Sequence, residues 1–206
     1  MSLSATHNRS LTRDALLLCI KFLILAPICL GIWWLLVPYY GWLLGQVSGQ
    51  ILILLGKPIT AVRVEVQDVS LTPLTAKAVL ERIITNTHTA LTFFEKDQPK
   101  TMPVAYMVTN MAPFVALVLA TGGLGLRRRV KALVIGMLIL ALGHLFFAVI
   151  LYAFAAALRD YPQLVMAAYA VFHTLPFLLW VVLAYWDRLM GIIKESTGVS
   201  GNKSGN

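Results

Sequence analysis

The sequence predicts a predominantly α-helical integral membrane protein, with four transmembrane helices and a small periplasmic β-element between the first and the second. Three observations predict this fold class. Of the 206 residues, 59% are hydrophobic and 13% are charged, whereas soluble domains have about 45–50% apolar and about 25% charged residues. The apolar residues are concentrated in runs of about 20 residues, the length that crosses a bilayer. Lys and Arg are clustered beside these runs, as in multi-pass membrane proteins.

The first predicted transmembrane helix covers residues 14–37 and follows a cytoplasmic N-terminus at 1–13. Its apolar run is longer than the core of a secretory signal, about 7–15 residues, and no small-residue cleavage site follows it. We therefore expect an uncleaved anchor. Residues 38–56 predict an interfacial glycine-rich helix, and its glycines recur at every fourth position: Gly41, Gly45 and Gly49. Such a pattern favours either a face for close helix packing or a flexible interfacial segment.

Residues 57–102 predict a periplasmic β-rich segment. In AVRVEVQDV, residues 61–69, valines alternate with polar side chains, which is the period-two pattern of a half-buried strand. The run LERIITNTHTALTFF, residues 80–94, is rich in Thr, Ile and Phe, residue types that strands favour. We expect a hairpin or three short strands that are too small to be stable alone and that pack on the outer ends of the helices.

The remaining helices lie in residues 103–157 and 164–187. The first range holds the second and third transmembrane helices, joined by a basic cytoplasmic loop at 123–131, and the second range holds the fourth helix. Residues 188–206 predict a disordered cytoplasmic tail. Basic residues precede the first helix, fill the loop and follow the fourth helix, so the positive-inside rule assigns both termini and the loop to the cytoplasm.

The loop between the second and third helices carries a basic cluster: Arg127, Arg128, Arg129 and Lys131. We interpret this cluster as a topology signal at the inner face, where its charge also suits anionic lipid headgroups. The formal net charge of +8 is explained by such inner-face clusters. We therefore expect membrane lipids, and no nucleic acid, as partners of these residues.

Two predicted helices carry a histidine inside an apolar run, His144 in ALGHLFFAV and His173 in VFHTLPFLL, and a third carries Asn110 in YMVTNMAPF. Each of the three lies fourteen residues from the inner end of its helix, about 21 Å of helical rise. We therefore expect all three at one depth, in the outer half of the bilayer. Because an unpaired polar group in hydrocarbon costs several kcal/mol, we expect them to meet inside the bundle as a polar pocket, with Thr109 and Thr174 nearby.

Three interpretations of this predicted polar pocket remain open. The first is structural, with interhelical hydrogen bonds that each contribute about 0.6–2 kcal/mol. The second is a degenerate or remodelled active-site cavity that receives a polypeptide or lipid group, and Pro113 and Pro176 would loosen the helices around it. The third is a bis-His haem or metal site on His144 and His173. Two histidines without further ligands do not indicate a cofactor, so we predict no cofactor and no metal site.

The run PFVALVLATGGLGLRRRVKALVIGMLILALGHLFF, residues 113–147, resembles the core of exosortases and archaeosortases, membrane transpeptidases that process C-terminal sorting signals. The catalytic set of that family is a Cys, an Arg and a His. Here YMVTNMAPF has neither the Cys nor the Arg, and GHLFF stands where an Asn and an Arg are usual. The missing thiolate nucleophile argues against transpeptidase activity, and we predict no catalytic residue.

The chain is also similar to exosortase H-associated membrane proteins in its size and in its order of anchor, β-rich segment and three helices. This resemblance covers most of the chain. It implies an accessory protein of a protein-sorting system in the inner membrane of a Gram-negative bacterium, with the sorting enzyme as its membrane partner. We therefore expect a non-enzymatic partner protein whose β-element and glycine-lined segment form the contact surface. The alternative is a membrane enzyme or ligand-binding protein that uses the polar pocket.

Overall fold

The computed structural model describes these residues of the chain: 3–65, 86, 88–96, 98–158 and 160–196. This part of the chain is mostly helical and contains one three-stranded sheet, so the predicted fold class is confirmed in this coarse form. Three of the described helices have stretches that are long and apolar enough to cross a membrane: Ala15–Leu54, Leu126–Ala153 and Gln163–Trp186.

Helix α1, Leu3–Leu54, is continuous over 52 residues. It joins the predicted first transmembrane helix, 14–37, to the segment 38–56, which we predicted as a separate interfacial helix. None of the side chains described before Trp33 is buried. From Trp33 onward, buried apolar residues recur on one face of the helix: Trp33, Val37, Leu44 and Leu52. Only the second half of α1 is therefore packed against the rest of the described chain.

Three antiparallel strands form the sheet in the order β1, Ile59–Glu65, then β2, Ala90–Glu95, then β3, Gln98–Pro103. The central strand β2 carries three fully buried side chains, Leu91, Thr92 and Phe93. Leu91 and Phe93 lie two positions apart, as one face of a strand requires. Strands β2 and β3 are joined by a two-residue turn, in which Lys96 has a φ of 49°. Positive φ angles are what such tight hairpin turns demand.

The predicted strands agree with the sheet in part. The alternating run 61–69 is a strand as far as Glu65, and residues 66–85 lie outside the described part of the chain. The run 80–94 forms a strand only from Ala90. A small β-element of three strands is therefore confirmed.

Two short helices, α2, Ala105–Val108, and α3, Met111–Ala120, occupy the region that we predicted as one transmembrane helix, 103–122. Pro113 has no N–H to donate to the Thr109 carbonyl four residues earlier, and the N–H of Ala112 donates there instead, at 3.2 Å. The helix is therefore interrupted before α3. With 10 residues, α3 is about 15 Å long, half the thickness of the hydrocarbon core.

The last two long helices are α4, Leu126–Ala153, and α6, Pro162–Ser196, with the single turn α5, Ala155–Leu158, between them. They cover most of the ranges predicted for the third and fourth helices. The predicted loop at 123–131 is wrong from Leu126 onward, because α4 begins there and the basic cluster lies in its first turns. Helix α6 has non-helical backbone angles at Tyr185, φ −113° and ψ 15°, and is kinked there. It continues to Ser196, so the predicted disordered tail is helical over 188–196, and its remainder lies outside the described residues.

Helix α3 lies at the centre of the bundle. It contacts α1, α4 and α6, and seven of its ten residues are buried. Asn110, at the start of α3, lies beside His144 far along α4, whereas Thr121, just after α3, lies beside Arg129 near the start of α4. The two helices are therefore antiparallel. Among the described helices, the short helix α3 is thus enclosed by α1, α4 and α6.

Candidate functional site

His144 of α4 lies at the centre of the bundle, with an exposed fraction of 0%. Its Nδ1 lies 2.9 Å from the hydroxyl of Tyr40 on α1, and its Nε2 lies 2.9 Å from Oδ1 of Asn110, just before α3. Small residues on the same face of α4 allow the neighbouring helices to approach: Ala132, Gly136 and Ala148. We call Tyr40, Asn110 and His144 the histidine cluster. It connects three segments that are far apart in the sequence.

The hydrogen bonds of the histidine cluster determine which ring nitrogen of His144 carries the proton. Nδ2 of Asn110 donates to the carbonyl of Phe172 on α6 at 3.2 Å, so Oδ1 of Asn110 faces His144 and accepts from Nε2–H. Nδ1 is then a lone pair, and the hydroxyl of Tyr40 donates to it. Both ring nitrogens of His144 are therefore occupied by partners within the chain.

Asn110 also completes the backbone hydrogen bonding of α6. Residue 176 is a proline without an N–H, so the carbonyl of Phe172, four residues earlier, lacks its helical donor. The side-chain amide of Asn110 supplies that donor from outside the helix. The ring of Phe172 packs edge-on against His144, with centroids 5.1 Å apart. The predicted local loss of helical hydrogen bonding near Pro176 is thus a single carbonyl, that of Phe172, and Asn110 of the histidine cluster donates to it.

Asn86 supplies a hydrogen-bond donor to a proline-freed carbonyl of α1, as Asn110 does for α6. Pro38 leaves the carbonyl of Trp34 without a helical donor, and Nδ2 of Asn86 donates to it at 2.8 Å. The backbone carbonyl of Asn86 in turn accepts from the hydroxyl of Thr89 at 2.8 Å, just before β2. This contact ties the segment before β2 to α1.

His173 of α6 does not join the histidine cluster, contrary to the prediction. It is exposed, and its Nδ1 lies 2.8 Å from the carbonyl of Tyr169 on the same helix. The neighbouring residue Phe172 faces the bundle, and one residue along a helix turns the side chain by about 100°. Thr174 is exposed too, and it donates to the carbonyl of Val171 at 2.8 Å. The depth of a residue along a helix does not determine which way the residue faces.

Of the five residues predicted to form the polar pocket, only Asn110 and His144 meet. Thr109 donates back to the carbonyl of Ala105 within α2. Sequence reasoning missed Tyr40, because Tyr40 belongs to the aromatic run WWLLVPYYGW, which is typical of a membrane interface. The signal that could have found Tyr40 is its position on the same helical face as the apolar residues that α1 buries.

The interpretation as a bis-His haem or metal site does not fit this geometry. It would require a lone pair from each of His144 and His173, directed at one point. Instead both ring nitrogens of His144 are hydrogen-bonded inside the bundle, whereas His173 faces outward from α6. Among the residues that the structure describes, no three side chains of His, Cys, Asp or Glu are grouped as metal ligands would be.

The glycine face of α1 is covered by the sheet of the same chain. A Cβ at Gly45 would lie 2.7 Å from Leu91 of β2, and a Cβ at Gly49 would lie 2.7 Å from Val62 of β1. Gly41 lies on the same face with looser contacts. The glycines therefore allow close packing, which is one of the two interpretations of their spacing. Their neighbour is the sheet, so this face is not the surface for another protein that we expected.

Two residues of the basic cluster hold helix ends together. Nη2 of Arg129 donates to the carbonyl of Thr121 after α3, at 3.0 Å. Nη2 of Arg128 donates to the carbonyl of Ala184 at the kink of α6, at 3.2 Å. Positive charges are favourable beside such carbonyl ends. The other two basic residues are exposed: Arg127 and Lys131. Arg128 and Arg129 of the basic cluster thus have a packing role.

A polar contact joins the sheet to the end of α4. Glu95 of β2 accepts a hydrogen bond from the hydroxyl of Tyr152 at 3.0 Å and forms an ion pair with Lys100 of β3. The ammonium of Lys100 also lies 5.1 Å from the centre of the Tyr152 ring. The hydrogen bonds from Lys100 and Tyr152 hold the pKa of Glu95 below its usual value. The sheet is thereby fastened over one end of the bundle.

Comparisons of the chain with protein-family models, with curated proteins and with solved structures found no match. The contacts of the chain's own residues therefore carry the functional proposal.

Proposed function

We propose that this chain is a non-enzymatic, multi-pass membrane protein that acts by docking another membrane protein. One observation carries the proposal: His173 lies ten residues after Gln163 and thirteen before Trp186 in an apolar span, and it faces away from the bundle. Polar side chains inside a membrane almost always face other protein or water rather than lipid. The outward face of α6 is therefore where a partner is expected.

The histidine cluster supports a structural role for the buried polar residues over a catalytic one. A general base or a nucleophile needs an atom that can reach a substrate. The imidazole of His144 is fully buried, and both of its nitrogens are bonded to Tyr40 and Asn110. Its function in this proposal is to hold three segments of the bundle together.

In this proposal the bundle lies in the inner membrane of a bacterium, with the basic cluster at the cytoplasmic face and the sheet at the periplasmic face. The support is the positive-inside rule, applied to Arg127, Lys131 and the basic residues beside both termini. In this proposal the short helices α2 and α3 form the second of four membrane crossings. This is physically acceptable because the other helices enclose them and protein groups satisfy their polar atoms.

The resemblance to exosortase H-associated membrane proteins makes a sorting transpeptidase the partner that we propose. The tagged full-length chain, extracted from native membranes in a mild detergent, is expected to co-purify with that enzyme. A bulky Ala170→Trp substitution on the outward face of α6 should reduce recovery of the enzyme. The matched substitution Val134→Trp, on the exposed face of α4, should leave recovery unchanged. A monodisperse monomer without a partner would contradict the proposal.

A further inference from the structure

Strand β3 is an edge of the sheet, and no other described strand pairs with its outer side. Five of its six residues are exposed. An edge strand normally presents a row of backbone N–H and C=O groups that can pair with a strand of another chain. What β3 presents depends on which of its residues direct these groups away from β2.

The register between β2 and β3 determines the direction of these groups. The N–H of Val104 donates to the carbonyl of Thr89 at 3.1 Å, which continues the register that places Leu91 opposite Met102. Hydrogen-bonded pairs alternate with non-bonded pairs along antiparallel strands. The residues of β3 that bond to β2 are therefore Gln98, Lys100 and Met102. The residues that direct their backbone groups outward are Pro99, Thr101 and Pro103.

Two of the three outward positions are thus prolines, which have no N–H. Among the residues of β3, only Thr101 directs an N–H away from the sheet. An added antiparallel strand would exchange two hydrogen bonds with each outward residue, but Pro99 and Pro103 can each form only one of the two. The carbonyls of the incoming strand opposite these prolines would lose water without gaining a donor, which is unfavourable.

The other side of the sheet has a different composition. Residues of β2 that do not bond to β3 bond to β1, where the register pairs Thr92 with Arg63. The backbone groups of Val62 and Val64 therefore point away from β2, and neither residue is a proline. On this side β1 packs on α1, with Val62 against Gly49. The prolines thus lie at the outward positions of the exposed strand.

We infer that β3 is a closed edge, which accepts no additional strand from a second copy of this chain or from another protein. Copies in one membrane have the same orientation, so their sheets lie at the same height, and open edges of this kind would meet. The prolines prevent such pairing. A protein that contacts this side of the sheet must therefore bind through side chains. This inference goes beyond the proposed function and does not depend on docking at α6.

Amide hydrogen exchange of the full-length chain in detergent micelles, followed by NMR, tests the closed edge directly. The N–H of Thr101 faces water, whereas those of Lys100 and Met102 donate to β2. We therefore expect the amide of Thr101 to exchange at least about 100-fold faster than the other two. A protected Thr101 amide in the unchanged chain would overturn the inference, because another group would then occupy the edge.

The double variant Pro99→Thr/Pro103→Thr restores two outward N–H groups. We expect it to self-associate about fivefold to a hundredfold more strongly than the unchanged chain, the range for two additional hydrogen bonds. Sedimentation equilibrium in detergent measures this constant. Gln98→Thr is the matched control, because it introduces the same side chain where the N–H bonds to β2, and it should leave association unchanged. No increase in the double variant, or an equal increase in the control, overturns the inference.

A second set of variants tests the direction of the backbone groups without relying on association. Thr101→Pro removes an outward N–H and should leave the sheet intact, whereas Met102→Pro removes an N–H that bonds to β2 and should disrupt it. Thr101→Val is the reference, because it loses only the hydroxyl contact with Thr92. The amide spectrum of β2 reports the sheet. Disruption by Thr101→Pro but not by Thr101→Val overturns the register behind the closed edge, and it leaves docking at α6 to its own test.

Discussion

His144 and His173 lie in similar apolar runs and at neighbouring levels of the bundle, yet their surroundings are opposite. His144 has an exposed fraction of 0%, and both of its nitrogens bond to other segments. His173 is exposed and bonds only within its own helix, so far as the described residues show. The difference is one of rotation, because Phe172, beside His173, packs against His144. Depth determines which residues can meet, and the helix face determines which residues do.

The largest expected effect is on the free energy of unfolding, when each histidine is replaced in turn by leucine. His144→Leu leaves the hydroxyl of Tyr40 and the amide oxygen of Asn110 buried without partners. Since each unpaired group costs about 1–3 kcal/mol, the free energy of unfolding should fall by about 2–6 kcal/mol in total. Chemical unfolding in detergent micelles measures this difference. His173→Leu is the matched control and should change stability by less than about 0.5 kcal/mol. Equal losses in both variants would refute the distinction.

A glycine on the buried face of α4 tests the same difference between a buried and an exposed helix face. A Cβ at Gly136 would overlap the ring of Phe114 on α3, so the ring must move. Gly136→Ala should therefore destabilise the bundle by about 1–3 kcal/mol, as overpacking does. A Cβ at Gly31 of α1 meets nothing within 4 Å, and Gly31→Ala should be neutral or slightly stabilising. Unfolding of the two variants under the same conditions is the measurement, and a neutral Gly136→Ala would contradict close packing of α3 on α4.

The link between Asn110 and Pro176 can be isolated by a double-mutant cycle. Pro176→Ala restores an N–H that can donate to the carbonyl of Phe172, so the amide of Asn110 loses one of its two roles. Asn110→Ala should therefore cost about 1 kcal/mol less in the Pro176→Ala background than in the unchanged chain. Asn86→Ala, which affects α1, should cost the same in both backgrounds. Strict additivity at Asn110 would show that its amide does not serve α6.

The smallest effect is expected where the sheet meets α4. The folded pKa of Glu95 is lowered, so its contribution to stability is present above its unfolded pKa of about 4.3 and is lost as the pH falls through the folded value. Tyr152→Phe removes one of the hydrogen bonds that lower this pKa and should raise it. An NMR titration of the Glu95 carboxyl group measures the shift. An unchanged titration curve would show that the hydroxyl of Tyr152 does not contribute.

Local signals in the sequence predicted much of the fold. Apolar runs predicted the long helices, and alternating valines predicted β1, because both patterns depend only on neighbouring residues. The partner of the carbonyl that Pro38 leaves without a helical donor could not be predicted in the same way, since it is Asn86, which lies far away in the sequence. A proline indicates which carbonyl needs a donor. It does not indicate which side chain supplies one.

Only part of the candidate site could be predicted from the sequence. An apolar run interrupted by a polar side chain indicates a group that must be satisfied, and this identified Asn110 and His144. It could not separate His173 from them, because the orientation of α6 is set by the packing of Phe172 on the bundle. Tyr40 was missed since an aromatic residue at the end of an apolar run is equally typical of a headgroup region.

Helix α1 is continuous from Leu3 to Leu54. At 1.5 Å per residue its length is about 78 Å, and strands β1 and β2 rest directly on Gly45 and Gly49. A tilt of about 5° at one end of such a rod displaces the other end by roughly 7 Å. If α1 tilts as a rigid rod, the strands that pack on its carboxy-terminal half therefore move sideways.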